Sequence, residues 1–98
     1  MSNNESVTEK DLKLKPPSKF KVVLVNDDFT PINFVIDIIK KVFRKNKEEA
    51  SILAISIHKN GKSTCGVYTH EIAETKMGTV NFLAGREGHP LTAYIEPE

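Results

Sequence analysis

Asn26, Asp27, Asp28 and His58 are the side chains whose types and placing could do chemistry. The first three interrupt the stretch KVVLVNDDFTPINFVIDIIKKVF, between its most apolar strand-like run and its most apolar helix-like run, while His58 stands just before Lys-Asn-Gly. A strand end and a helix end can share one rim of a two-layer domain. Asn26, Asp27 and His58 would then offer an amide oxygen, a carboxylate and a neutral imidazole nitrogen, three acceptors whose complement is a small cation with several N–H donors, such as an amino group. Asn-Asp-Asp is also ordinary turn chemistry, because such side chains bond nearby backbone N–H groups, and a histidine near a helix C-terminus can simply answer the dipole. Both readings stay open on spacing alone. A metal site from Asp27, Asp28 and His58 is disfavoured, since adjacent carboxylates diverge and no further ligand is evident. Nucleophilic catalysis is weaker still, because Cys65 lies mid-strand with no base in a recognisable relation to it.

The elements that must position these groups can be read from periodicity. Phe20 to Val25 lacks polar alternation after Lys21, which predicts a strand buried on both faces. Thr30 offers a hydroxyl as N-cap with Pro31 at the first helical position. Ile32, Val35, Ile36, Ile38, Ile39, Val42 and Phe43 then cover more than one stripe, as expected of a helix packed between a sheet and another helix. Asn46 with Glu49 predicts a capped second helix, buried through Ala50, Leu53, Ala54 and Ile57 and ended by Asn60-Gly61, so His58 falls in its last turn. Ser63 to Tyr68 reads as a second strand and Thr69 as the cap of a third helix using Ala73, Met77, Val80 and Ala84. Leu91, Ala93 and Ile95 mark one face of a third strand. The expected fold is α+β, a two-layer sandwich of order β-α-α-β-α-β in which a three-stranded antiparallel sheet is backed by three helices.

The chain has 98 residues, 39% hydrophobic and 28% charged, which bounds it to one globular domain with a single modest core. Residues 1–18 are polar and end in Pro16-Pro17 before the folded part at 19–98, so they are expected to form a flexible extension. A formal net charge of +1 supplies no global field for nucleic acid or an anionic membrane. The lone Cys65 cannot form an internal disulfide, and no export or membrane-spanning segment is evident, so a cytoplasmic protein is expected. No cofactor is implied.

The stretches KVVLVNDDFTPINFVIDII, ISIHKNGKSTCGVYTHEIAETK and HPLTAYIE, in that order, resemble the ClpS family, adaptors that deliver proteins with destabilising N-terminal residues to a Clp-type AAA+ protease. The resemblance implies an adaptor rather than an enzyme. It implies α-amino-group ligands at Asn26, Asp27 and His58, and an apolar pocket at Ile32, Ala54, Ile57 and Leu91 with Thr30 at its edge. It further implies an unfoldase-facing surface at Glu71 and Lys76, an N-terminal extension that helps hand substrate over, and as partner the N-terminal domain of a ClpA- or ClpC-type unfoldase. Substrates would begin with Leu, Phe, Tyr or Trp. An α-amino group ordinarily titrates at about pH 7.7–8.0, so it is largely ammonium at neutral pH and suits such a mouth.

Two positions depart from the family's usual pattern, Ile32 and Ala54 standing where Met is usual. A stiff β-branched gate and a missing thioether put the range of first residues in question and bring Ile and Val into it. The competing reading is a small nucleic-acid-binding domain using Lys40, Lys41, Arg44, Lys45 and Lys47 around residues 40–47. It lacks interleaved aromatic residues on a strand, with only Tyr68 and Tyr94 to offer.

Overall fold

The structure, a computed structural model, describes residues 18–98. The extension expected over 1–18 lies, but for its last residue, outside them. Six elements follow in the expected order: β1 (Lys19–Val25), α1 (Ile32–Phe43), α2 (Lys47–Asn60), β2 (Lys62–Thr69), α3 (His70–Arg86) and β3 (Thr92–Pro97). The sheet order is β2-β1-β3 with both pairings antiparallel. No helix among the described residues is long and apolar enough to cross a membrane.

Val22, Val23 and Leu24 are buried in succession because β1 is the central strand. Val22 and Leu24 join the main core with Ile38, Ile39, Val42 and Phe43 of α1, Ala50, Ala54 and Ile57 of α2, and Ala73, Val80 and Ala84 of α3. All three helices therefore lie against one face of the sheet. Burying each large member of this set, such as Leu24, Ile39 or Ile57, contributes about 1.5–3 kcal/mol.

A β-bulge shifts the phase of β2. Val22 pairs with Gly66 but Val23 pairs with Thr64, leaving Cys65 as the extra residue. Cys65 points inward, and beyond the bulge it is Tyr68 rather than Val67 that packs on the core. Gly66 gives the Tyr68 ring its place: a Cβ there would come within 2.6 Å of the ring carbons and push the ring aside. Burial pushes the Cys65 thiol up to about 12, despite the opposing charge of Lys45, which makes it a poor nucleophile.

Asn46 and Glu49 form the expected capping box, with Asn46 Oδ1 accepting from the Glu49 amide at 2.8 Å and Glu49 Oε1 from the Asn46 amide at 3.2 Å. Gly61 ends α2 at φ 88°, donating its N–H to the Ile57 carbonyl at 2.9 Å. The expected cap at Thr30 is not realised. Helix α1 starts at Ile32 with Pro31 as its N-cap residue, and no side chain caps it. Thr69 sits at the N-cap of α3, also without a side-chain cap bond. At the outer edge of β3, the Asn81 side chain imitates a neighbouring strand. Its Oδ1 accepts from the Ala93 amide at 2.8 Å and its Nδ2 donates to the Ala93 carbonyl at 3.1 Å.

Candidate functional site

The strand end and the helix end do share a rim. The Asn26 amide donates to the Gly61 carbonyl at 2.8 Å, so the exit of β1 is tied to the residue that terminates α2. This one backbone bond carries Asn26 and Asp27 to the side of the molecule where His58 occupies the last turn of α2. A cavity of about 350 Å³ opens between them, lined by Asn26, Asp27, Asp28, Thr30, Ile32, Val35, Ala54, Ile57 and His58. Polar groups from the strand exit and the helix end meet there with apolar side chains from α1 and α2.

The Asp27 carboxylate organises the loop. Its Oδ1 accepts from the Phe29 amide at 2.7 Å and the Thr30 amide at 2.6 Å, and its Oδ2 from the Thr30 hydroxyl at 2.7 Å. The expected turn chemistry is thus realised at Asp27. A carboxylate has about four lone-pair directions, so three hydrogen bonds leave one acceptor site and the full charge. Partial burial pushes the carboxyl upward, but the Thr30 hydroxyl, the Thr30 and Phe29 amides and the charge of His89 outweigh it and hold the group below its ordinary value of 3.8. Asp27 is therefore anionic wherever the protein is folded near neutral pH.

Thr30 fails to cap α1 because of the same bonds. While its hydroxyl proton goes to Asp27, its oxygen accepts from the Leu91 amide at 3.1 Å. Leu91 itself is buried in the core and does not line the cavity, so its place is behind the rim, bracing Thr30. The other expected pocket residues, Ile32, Ala54 and Ile57, are brought together there. Two neighbours, Val35 and His89, escaped the sequence reading as site residues, and Asp28, weighed there only as a disfavoured metal ligand, joins the lining. Val35 lines the floor one turn beyond Ile32, which helical spacing could have shown. His89 reaches Asp27 electrostatically from the segment before β3 while its ring packs edge-on against Phe34, centroids 4.5 Å apart, a proximity that only the tertiary fold reveals.

Glu71 and Lys76 lie elsewhere, along a larger groove of about 720 Å³ between the end of α1 and the outer face of α3. Lys41, Val42, Arg44, Ile72 and Leu83 complete its main walls. Glu71 is exposed. Lys76 is already engaged, donating from Nζ to the Val42 carbonyl at 2.7 Å and standing 5.4 Å from the Tyr68 ring centroid. Of the basic cluster, Lys40 and Lys41 fall in the last turn of α1, where cations complement the helix dipole.

The family model described as "ATP-dependent Clp protease adaptor protein ClpS" matches residues 15–94. This chain belongs to the ClpS family. The ATP-dependent Clp protease adapter protein ClpS of Burkholderia mallei is 47% identical over 94 residues, covering 95% of this chain and 90% of that protein. Its counterpart from Burkholderia thailandensis is 48% identical over 87 residues, covering 89% and 84%. Among solved structures, Agrobacterium tumefaciens ClpS2 bound to L-phenylalaninamide superposes with a TM-score of 0.82 at 36% identity, over 84% of this chain and 99% of that one. ClpS proteins are adaptors of the Clp protease, not enzymes. The α+β fold expected from the sequence is the ClpS fold.

Proposed function

We propose that this chain is an N-degron adaptor whose cavity between β1, α1 and α2 takes the first residue of a substrate protein. The observation that carries the reading is the ligand of the Agrobacterium relative. L-phenylalaninamide is a free α-amino group and a bulky apolar side chain on one carbon, with an amide where the next peptide bond would be. The cavity here is complementary to both parts. Asn26, Asp27 and His58 supply acceptors for the ammonium, and Ile32, Val35, Ala54 and Ile57 supply apolar wall for the side chain. Leu, Phe, Tyr and Trp are the preferred first residues, since burial of such side chains contributes about 1.5–3 kcal/mol. Ile and Val are admitted more weakly, because Ala54 leaves room for branching at the ligand's Cβ.

The groove between α1 and α3 faces the N-terminal domain of a ClpA- or ClpC-type unfoldase, with Glu71 as its exposed anion and Lys76 fixing its floor. Residues 1–18 serve as the extension that the unfoldase engages, and residues 19–98 as the adaptor core. The protein works in the cytoplasm. Fluorescence anisotropy with a Phe-initiated peptide, its N-acetylated twin and an oligonucleotide tests the site. Binding of the free-amine peptide alone is expected. Equal binding of the acetylated twin overturns the amine site, and preference for the oligonucleotide overturns the adaptor reading.

A further inference from the structure

Beside the mouth of the cavity stands an exposed apolar side chain, Phe29, that does not line it. In an N-terminal residue, the amino group, the side chain and the carbonyl share one Cα. With the amino group held at Asn26, Asp27 and His58 and the side chain directed down toward Ala54 and Ile57, the carbonyl must leave over the rim, taking the second residue with it. In the loop on the β1–α1 side of that rim is Phe29, 79% exposed. Asp28 and Thr30, on either side of Phe29, both line the cavity. The Phe29 amide is bound to Asp27 Oδ1 at 2.7 Å, so its backbone is fixed by the very carboxylate assigned to the ammonium.

Single exposed apolar side chains are common and call for no account. Phe29 differs in its surroundings. Among the described residues the other four phenylalanines all have an aromatic or cationic neighbour: Phe20 packs on His70, Phe34 on His89, Phe43 on Tyr68, and Arg86 lies over Phe82. Phe29 has none of these, although its backbone is held by a hydrogen bond.

We propose that Phe29 is a ledge that reads the second residue of the substrate, favouring a large apolar or aromatic side chain there over a small or absent one. The inference rests on the N-degron reading of the same mouth and deepens it from one recognised residue to two. Covering an exposed ring on a pre-fixed backbone removes apolar area from water at little ordering cost, so the preference adds to the affinity set by the first residue.

The test uses the full chain and a peptide series, Phe-Xaa followed by a constant polar sequence, with Leu, Trp or Gly as Xaa. The parent should bind Phe-Leu and Phe-Trp about three- to tenfold more tightly than Phe-Gly, on the scale of partial apolar burial. In Phe29→Ser that ratio should fall to near one, and Phe29→Leu should keep part of it. An Ile55→Ser variant serves as the comparison, since Ile55 is exposed on α2 one turn before His58. A ratio near one in the parent, a ratio unchanged in Phe29→Ser, or loss of the ratio only in Ile55→Ser each overturns the ledge. The N-acetylated Phe-Leu peptide separates this failure from failure of the amine site: if it binds as tightly as the free amine, the first-residue reading itself is wrong.

Discussion

Two concavities of this domain use charge in opposite ways. At the mouth between β1 and α2, Asp27, one of the cavity-lining residues, directs its hydrogen bonds to residues two and three positions away and keeps its charge and one acceptor site uncommitted. In the groove between α1 and α3, Lys76 commits its ammonium to a carbonyl 34 residues away and to the face of Tyr68. A charge satisfied locally shapes its own loop and remains available to a ligand. A charge satisfied across elements holds two helices in place and has less to offer a partner. Two residues that look alike as surface charges thus answer to different measurements.

The largest effect should come from Asp27. Asp27→Asn keeps much of the loop's acceptor geometry but removes the charge, and should weaken a Phe-initiated peptide by about 1.5–3 kcal/mol, on the order of ten- to a hundredfold, in isothermal titration. Asp27→Ala should lose binding and also lower the thermal midpoint, because the Phe29 and Thr30 amides lose their acceptor. The carboxyl's folded-state value lies below its ordinary 3.8, so its contribution to stability is complete above that pH. It is lost as pH falls through the lowered value. Acid unfolding of the parent and of Asp27→Asn should therefore diverge above about pH 4 and converge in stronger acid. Parallel curves throughout would show that Asp27 is not the linked group.

Lys76 and Glu71 sharpen the contrast. Lys76→Ala should cost about 1–2 kcal/mol of stability in chemical denaturation, through a lost charged hydrogen bond and cation–π contact, with peptide affinity retained. Glu71→Ala should leave stability within about 0.5 kcal/mol and weaken only the unfoldase N-domain in a pull-down. If the two variants behave alike, the distinction between a fixed and a free charge in this groove fails. A smaller effect belongs to Ala54→Met, which fills the cavity wall. Ile- and Val-initiated peptides should lose affinity while Leu is spared, and a uniform loss would point to general overpacking instead. The smallest is Arg44→Gly. Arg44 ends α1 in the left-handed region at φ 57°, so glycine should raise stability by up to about 1 kcal/mol while removing one cation from the groove.

What the sequence revealed follows from how local each signal is. The capping box of Asn46 and Glu49 and the stop at Gly61 depend on neighbours within one turn, and the structure has both at the expected residues. The candidate mouth was legible for a related reason: a strand end and a helix end were each well marked, and the Asn26–Gly61 bond joins them. Thr30 misled because its hydroxyl is claimed by Asp27, three residues back, and by the remote Leu91 amide rather than by the helix. The bulge at Cys65 belongs to a strand register, which no single strand states. His89 and Lys76 found their partners through tertiary packing alone.

The central position of β1 has a mechanical consequence. The residues before it enter the fold at Lys19, whose carbonyl accepts from the Glu98 amide at 2.9 Å, and the strand then pairs along its length with β2 on one side and β3 on the other. Antiparallel hydrogen bonds run perpendicular to the strand, so tension drawn along β1 loads both ladders in shear rather than peeling them one bond at a time. The far end of the strand is anchored to Gly61 through the Asn26 amide, at the rim of the cavity. A pull on the N-terminal end is therefore resisted by both ladders before it displaces Asn26 or Asp27.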